Sequence, residues 1–310
     1  MALLRVNAHG TEPVLHRSPQ PVGPVIAQAL ENTPGPVTIL VHGFRYRPGR
    51  VCPHEHIFAL SPDPACRRVI SWPRHLGYGH HGRDDPGVAI CFGWNARGTV
   101  SGAYQRAITA GRALAKLASR IKAAHPARPV HVMGHSMGAR VALRALCHAC
   151  PGTFDVLVLL SAAEFTAPAQ EALATPAGQS ADILHVTSRE NTVYNALLEC
   201  FVAPETRGDR ALGAFSGHPG RFRTVWIDDT ETLSSLAALG FRIAPRDKRI
   251  CHWSTYTRAG VFGLYRAVLS GKLPLSTLDA ALPALRRDSP RASLLDSSSW
   301  RARWSTAERV

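Results

Sequence analysis

Ser136 lies at the centre of Gly134-His-Ser136-Met-Gly138, a pattern whose residue types and spacing suit nucleophilic chemistry. A strand predicted over 129–134 runs into it, and apolar residues at helical spacing follow over 137–149. At such a strand-to-helix turn, glycines two residues before and after the serine avoid collisions, and the hydroxyl stands above the sheet edge. The hydroxyl becomes a nucleophile when a base removes its proton, so the stretch predicts acyl transfer through Ser136.

A second short motif, His42-Gly43-Phe44, ends a strand predicted over 37–43. Together with the serine pattern, it resembles the α/β-hydrolase family, in particular its serine esterases and lipases. The resemblance covers the order of elements from about residue 37 to 271 and does not account for the two chain ends or for an insertion at 45–86. It implies that the oxyanion hole consists of the backbone N–H groups of Phe44 and Met137, and that Gly43 lets the backbone turn toward the substrate carbonyl.

The resemblance also implies a catalytic acid and then a histidine base, both after Ser136 in the chain. His252 lies in the loop before the last predicted helix, where the family places its base, and His218 is the alternative. Glu190 follows the strand predicted over 182–188, which matches the family's position for the acid. Asp228, Asp229 and Glu164 are the alternative acids.

The elements that must position these residues alternate between strands and helices, which predicts an α/β-hydrolase fold with a mainly parallel central sheet and helices on both faces. Strands are predicted over 37–43, 87–94, 129–134, 154–162, 182–188 and 222–228. Helices are predicted over 101–125, 137–149 and 260–271.

The chain of 310 residues predicts a single domain over 1–285 with the 45–86 insertion near the active site, followed by a basic, serine-rich tail over 286–310. Because the insertion follows the predicted oxyanion loop directly, its aromatic residues either line the substrate pocket or anchor a long loop to the core. The candidate substrate-binding residues are Tyr46, Trp72, Trp94 and His135.

Metal and cofactor sites are not predicted. Cys52-Pro-His54-Glu-His56 matches neither H-E-x-x-H nor a paired C-x-x-C zinc site. The seven cysteines are dispersed, which indicates reduced thiols rather than a disulfide framework. The sequence shows no secretory signal and no apolar run of roughly 18 residues, so we expect a soluble cytoplasmic protein with no membrane partner.

The formal charge of +14 attracts anionic surfaces non-specifically, and the scattered arginines indicate no specific nucleic-acid partner. The sequence favours a carboxylesterase-type serine hydrolase (EC 3.1.1.-) acting on a small-molecule ester, with no cofactor and with activity that climbs through about pH 6–7 as the histidine loses its proton. The alternatives are thioester, lactone or amide hydrolysis on the same fold, or a non-catalytic basic binding protein. The sequence leaves the oligomeric state open.

Overall fold

An eight-stranded sheet runs through the part of the chain that the computed structural model describes, residues 2–61, 69–79, 86–214 and 221–283. The strands are β1 (Ala2–His9), β2 (Glu12–Leu15), β3 (Val37–Val41), β4 (Val88–Gly93), β5 (Val130–His135), β6 (Val156–Leu160), β7 (Asp182–Thr187) and β8 (Phe222–Trp226). Their order across the sheet is β2-β1-β4-β3-β5-β6-β7-β8. β1 and β2 form an antiparallel hairpin, and every other neighbouring pair in the sheet runs parallel. The predicted fold class is confirmed.

Helices cover both faces of this sheet. The helices are α1 (Val22–Asn32), α2 (Trp72–His75), α3 (Val100–Ala124), α4 (Met137–Leu146), α5 (Thr166–Ala174), α6 (Pro176–Ser180), α7 (Thr192–Phe201), α8 (Thr230–Ala238), α9 (Ser254–Thr257), α10 (Val261–Leu269) and α11 (Leu275–Ala281). In the described residues, none of these helices is both long enough and apolar enough to cross a membrane.

The side-chain alternation of a strand explains the two layers of core. In β3, Ile39 and Val41 pack into the cluster that includes buried residues of α1, α3 and α4. Leu40 faces the other way, into the cluster that includes α10 and α11. Because β3 is buried on both faces, its sequence is a continuous apolar run rather than an alternating one.

The N-terminal hairpin was not among the predicted elements. β1 adds to the sheet beside β4, with Val6 opposite Phe92, and β2 forms the edge. On the neighbouring helix α3, Lys116 and Arg120 form ion pairs with Glu12 of the edge strand. Charged residues on an edge strand are a common protection against pairing with other chains.

The insertion contributes to the core where it is described. Phe58, Trp72 and Tyr78 are buried in the same cluster as Leu40. Residues 62–68 and 80–85 of the insertion and the tail predicted over 286–310 lie outside the described residues.

Three chain segments that carry the predicted site residues leave the same edge of the sheet. β3, β5 and β7 run in one direction, so the residues that follow each of them lie at the carboxyl edge. His42 follows β3, Ser136 follows β5, and the turn 188–191 follows β7. In open parallel sheets, ligands bind in the crevice at this edge.

Candidate active site

Ser136 occupies a strained turn between β5 and α4. Its backbone has φ 57° and ψ −123°, a combination that costs a non-glycine residue about 1–3 kcal/mol. Hydrogen bonds hold the turn in place: its N–H donates to the Leu160 carbonyl at 2.9 Å, and its carbonyl accepts from Ala139 at 3.0 Å and from Ala163 at 3.1 Å. A strained residue that its neighbours fix this firmly is typical of a functional position.

The glycines on each side of the serine are required by backbone packing. A Cβ on Gly134 would lie 2.6 Å from the Gly138 carbonyl oxygen. A Cβ on Gly138 would lie 2.4 Å from the Val41 carbonyl oxygen. Both contacts are with backbone atoms, which cannot move aside as a side chain would, so the spacing of the motif follows from the close approach of α4 to the ends of β3 and β5.

The loop after β3 lies against the serine. A Cβ on Gly43 would be 2.9 Å from the Ser136 Cβ, so the backbone passes directly beside it. Phe44 follows Gly43, and Met137 follows Ser136. In the described part of the chain, the N–H groups of Phe44 and Met137 donate no hydrogen bond. Both amides are therefore available to an external acceptor.

His42 fixes the conformation of that loop. Its Nδ1–H donates to the Gly43 carbonyl at 2.8 Å, and its Nε2 accepts from the Trp94 N–H at 3.0 Å, which assigns the tautomer. The indole N–H of Trp94 donates in return to the His42 carbonyl at 2.9 Å. Burial lowers the pKa of His42 to about 4, so the ring stays neutral at physiological pH and acts as a structural group.

His252 is the described histidine whose surroundings suit a base. It is half-buried in the loop between α8 and α9, and its Nδ1 lies 2.6 Å from the Asn191 Oδ1. An amide oxygen at that distance accepts a hydrogen bond from Nδ1–H, so the ring proton is on Nδ1 and Nε2 has a free lone pair. Burial, and then the nearby His135, hold the pKa of His252 well below its ordinary value.

Two aromatic contacts and one backbone hydrogen bond hold the His252 ring beside the serine turn. The ring stacks on Tyr194 with centroids 4.4 Å apart. His135, which precedes Ser136, lies 4.6 Å from it ring to ring and donates from Nε2 to the His252 carbonyl at 2.9 Å. His252 therefore lies next to the serine turn although it is far from it in sequence.

The structure corrects the expected partner of the base. Glu190 does not contact His252; its carboxylate is buried, forms an ion pair with the Arg258 guanidinium and accepts from the Ser188 hydroxyl at 3.0 Å. Asn191, the next residue, provides the oxygen that the His252 ring contacts. Ser188 caps a short 3-10 turn over Arg189–Asn191, which rotates Glu190 toward Arg258 and Asn191 toward the histidine.

Glu190 still contributes to the site through its backbone. Its carbonyl accepts from the Cys251 N–H at 3.0 Å, which ties the loop that carries His252 to the turn after β7. Asn191 in turn donates from Nδ2 to the Asn195 Oδ1 at 2.9 Å, a contact that directs its own Oδ1 toward the histidine.

The alternative acids and base are placed elsewhere. Asp228 accepts from the Arg189 backbone N–H, and Asp229 caps α8 through the Thr232 N–H. His218 lies outside the described residues. These contacts engage both aspartates with groups other than His252.

Glu164 belongs to a buried network behind the serine turn that was not predicted. Its carboxylate pairs with Arg140 of α4 and accepts from the Tyr104 hydroxyl and from the Phe165 N–H. The Arg140 guanidinium also lies over the Tyr104 ring at 3.4 Å from its centroid. The available signal was an arginine just after the serine motif, on the apolar side of α4, because a fully buried arginine requires a partner.

The candidate substrate-binding residues divide into two groups. Trp72 and Trp94 are at most 1% exposed: Trp72 packs on Phe58 at 5.8 Å, and Trp94 stacks on His42 at 5.7 Å. These two tryptophans form the core beneath the site instead of a substrate surface. They therefore fit the alternative in which the aromatic residues anchor a long loop to the core. Tyr46 is half-buried beside His42, with its ring 5.4 Å away. His135 is buried, and its Nε2 donates a hydrogen bond to the His252 carbonyl rather than to a substrate.

Comparison with known proteins agrees with this geometry. A family model described as serine aminopeptidase, S33 (Hydrolase_4), matches residues 93–198, which include both Ser136 and Asn191. The match covers well under half of the chain and leaves out the loops of His42 and His252. No curated protein matches the chain.

Proposed function

We propose that this chain, which belongs to the α/β-hydrolase superfamily and is a hydrolase, cleaves carboxylic esters through an acyl-enzyme on Ser136. The observation that carries the proposal is the combination of a strained serine with two unengaged backbone N–H groups at its side. An oxyanion hole requires pre-positioned donors that cost no reorganisation when charge develops.

In the proposed reaction, the His252 Nε2 accepts the proton of the Ser136 hydroxyl as the oxygen attacks the ester carbonyl. The backbone N–H groups of Phe44 and Met137 stabilise the negative charge that develops on the carbonyl oxygen. The imidazolium then protonates the leaving alkoxide. Water, activated by the same nitrogen, releases the acid and restores the serine.

Asn191 takes the place of the expected acid. Its oxygen holds the Nδ1 proton, and hence the productive tautomer, in the way that asparagine does in Cys-His-Asn proteases. It supplies no negative charge, so it stabilises the imidazolium less than a carboxylate would. His252 therefore remains a weak base, which is consistent with the direction of its pKa shift.

This weak base favours esters over amides as substrates. An ester carbonyl is more electrophilic than an amide carbonyl, so a serine that is only weakly activated by its base attacks it more readily. The matching family model is described as serine aminopeptidase, which makes peptide cleavage the second candidate. An aminopeptidase must bind the substrate's positive N-terminus, whereas the His252 ring contacts the uncharged side chains of Asn191, His135, Tyr194 and Trp253.

The test measures hydrolysis of p-nitrophenyl esters of increasing acyl length and of aminoacyl p-nitroanilides, side by side. Wild type is expected to turn over esters, and Ser136→Ala to lose about 10³-fold or more in kcat/KM. Ser101→Ala, an exposed serine on α3, is the matched control and is expected to retain wild-type activity. Faster cleavage of the anilides would favour the peptidase, and equal activity of Ser136→Ala and wild type would overturn the nucleophile.

A further inference from the structure

Three side chains with metal-binding atoms meet at the edge of the sheet opposite β8. The His16 Nε2, the Cys52 Sγ and a Glu55 carboxylate oxygen all lie within 4.8 Å of one another. His16 follows β2, while Cys52 and Glu55 lie in the first part of the insertion. The three residues come from two separate segments, so motif spacing gave no sign of this cluster.

We propose that His16, Cys52 and Glu55 bind a divalent transition metal, with Zn²⁺ as the ion that the donor set fits best. Thiolate, imidazole and carboxylate are the three side-chain ligands that zinc uses. A thiolate disfavours Mg²⁺ and Ca²⁺, which select oxygen ligands. This proposal does not depend on the proposed esterase activity.

The distances are close to those of a metal site. With Zn–S near 2.3 Å and Zn–N near 2.0 Å, two ligands of a tetrahedral ion are separated by about 3.5 Å. The His16 Nε2 and the Cys52 Sγ are already 3.7 Å apart. The largest separation in the cluster is at most 4.8 Å, so a shift of roughly 1 Å completes three positions and leaves a fourth for water.

Charge balance also favours a divalent cation. The Cys52 thiolate and the Glu55 carboxylate together neutralise its two positive charges. Glu55 pairs with Arg17 through Oε1 at 2.7 Å, which leaves the second oxygen for the metal. Both of these side chains are substantially exposed, which gives an ion a path to the cluster.

The Asn7 amide donates to the His16 Nδ1 and so favours the ring form with its proton on Nε2, but a single rotation of that amide reverses this. The His16 Nδ1 lies 3.0 Å from the Asn7 Nδ2, while the Asn7 Oδ1 lies 2.8 Å from the His54 Nε2. A 180° rotation of the Asn7 amide would let Oδ1 accept from a His16 Nδ1–H and Nδ2 donate to His54. That rotation frees the His16 Nε2 as a ligand without moving any ring, and such outer contacts orient metal-bound histidines in general.

A bound ion would join the N-terminal hairpin to the insertion that begins beside the oxyanion loop. The His54 ring lies 5.6 Å from that of Phe58, which lies 6.1 Å from that of His42. The ion would therefore stabilise the chain segment on which the loop after β3 rests. Its expected role is structural, since the contacts lead to the support of that loop rather than to Ser136 itself.

The test uses the full-length chain, stripped with a chelator and titrated with Co²⁺ alone, which reports thiolate ligation through a charge-transfer absorption. Wild type is expected to bind one equivalent with this absorption and to release it when Zn²⁺ is added. Cys52→Ser should lose the absorption, whereas Cys200→Ser, which removes an exposed cysteine on α7, should retain it. Absence of the absorption in wild type, or its persistence in folded Cys52→Ser, would overturn the proposal.

Two further variants decide the matter if Cys52→Ser does not fold. The Glu55 side chain is exposed and that of His16 is half-buried, so Glu55→Gln and His16→Gln are both expected to fold. Each should weaken Co²⁺ binding by about 10-fold or more. At saturating Co²⁺, both variants should still show the thiolate absorption, because Cys52 is retained. Unchanged affinity in both variants would contradict the site.

Discussion

Ser136 is held almost entirely by backbone contacts of neighbouring elements, whereas His252 is held by side chains from distant parts of the chain. The serine turn depends on Gly134 and Gly138, whose spacing is local and visible in the sequence. The histidine depends on Asn191, which is 61 positions away. A local motif therefore specifies the serine turn closely, while the partner of His252 is determined only when the turn after β7 and the loop after α8 come together.

The largest expected effect is on the histidine side of this comparison. His252→Ala removes the proposed base and should lower kcat/KM for a p-nitrophenyl ester by about 10³–10⁴-fold, while the fold remains. Steady-state kinetics with circular dichroism as a folding control measures both. His148→Ala, a partly exposed histidine on a surface turn, should leave the rate unchanged, and an equal loss in the two variants would argue against His252.

On the serine side, the backbone itself is the sensitive feature. Gly138→Ala places a methyl group 2.4 Å from the Val41 carbonyl oxygen and should lower the free energy of unfolding by about 3 kcal/mol or more. Urea denaturation measures this. Gly23→Ala in α1 is the matched control, because nothing lies within 4 Å of its new methyl group, and it should be neutral or slightly stabilising. Equal stabilities would show that the close approach of α4 is not required.

Substitutions of the adjacent residues Glu190 and Asn191 should have opposite effects: one should lower stability and the other should lower activity. Asn191→Ala frees the His252 ring and should lower kcat/KM by about 10–100-fold with little effect on stability. Glu190→Gln leaves Arg258 buried without its counter-charge, so it should lower the melting temperature while the folded fraction keeps a kcat/KM within about threefold of wild type. The reverse outcome would restore Glu190 as the orienting group.

The pH dependence should give the smallest effect and the finest distinction. The proposed mechanism requires neutral His252, so activity should fall as pH falls through the pKa of that ring. Because burial holds this pKa well below 6.5, kcat/KM should stay level between about pH 6.5 and 8 and decline only in more acid solution, contrary to the climb through pH 6–7 expected from the sequence. Asn191→Asp adds a negative charge beside the ring, which should raise the pKa of His252 and move the decline of kcat/KM to higher pH. A decline at the same pH in both proteins would contradict the contact between residue 191 and His252.

Acid should also destabilise the fold, through the buried neutral histidines. Burial lowers the pKa of His42, His131, His135 and His185 to about 4 each. Folded pKa values below the unfolded one mean that the unfolded chain binds more protons, so stability is complete above about pH 6.5 and is lost as pH falls. At pH 5 the loss is about 2 kcal/mol per histidine. Kinetic assays in acid therefore need circular dichroism at the same pH to show that the chain is folded during the assay.

The six strands and three helices predicted from the sequence are present, with boundaries within about three residues, because continuous apolar runs and helical spacing are local signals. The β1–β2 hairpin was missed because its mixed polar pattern gives a weaker signal. Glu190 was predicted because the family places a carboxylate at this strand end, and the 3-10 turn that brings Asn191 rather than Glu190 to His252 is not visible in the sequence. The His16–Cys52–Glu55 cluster could not be predicted, since His16 and Cys52 are 36 positions apart and no local pattern joins them.

The most direct test of the proposed mechanism is to locate the covalent intermediate. Wild type is treated with a fluorophosphonate or a slowly deacylating p-nitrophenyl ester, digested, and analysed by mass spectrometry. The account predicts a single adduct on the peptide that contains Ser136, absent in Ser136→Ala and formed far more slowly in His252→Ala. An adduct on another residue, or steady ester turnover with no adduct on Ser136, would contradict it.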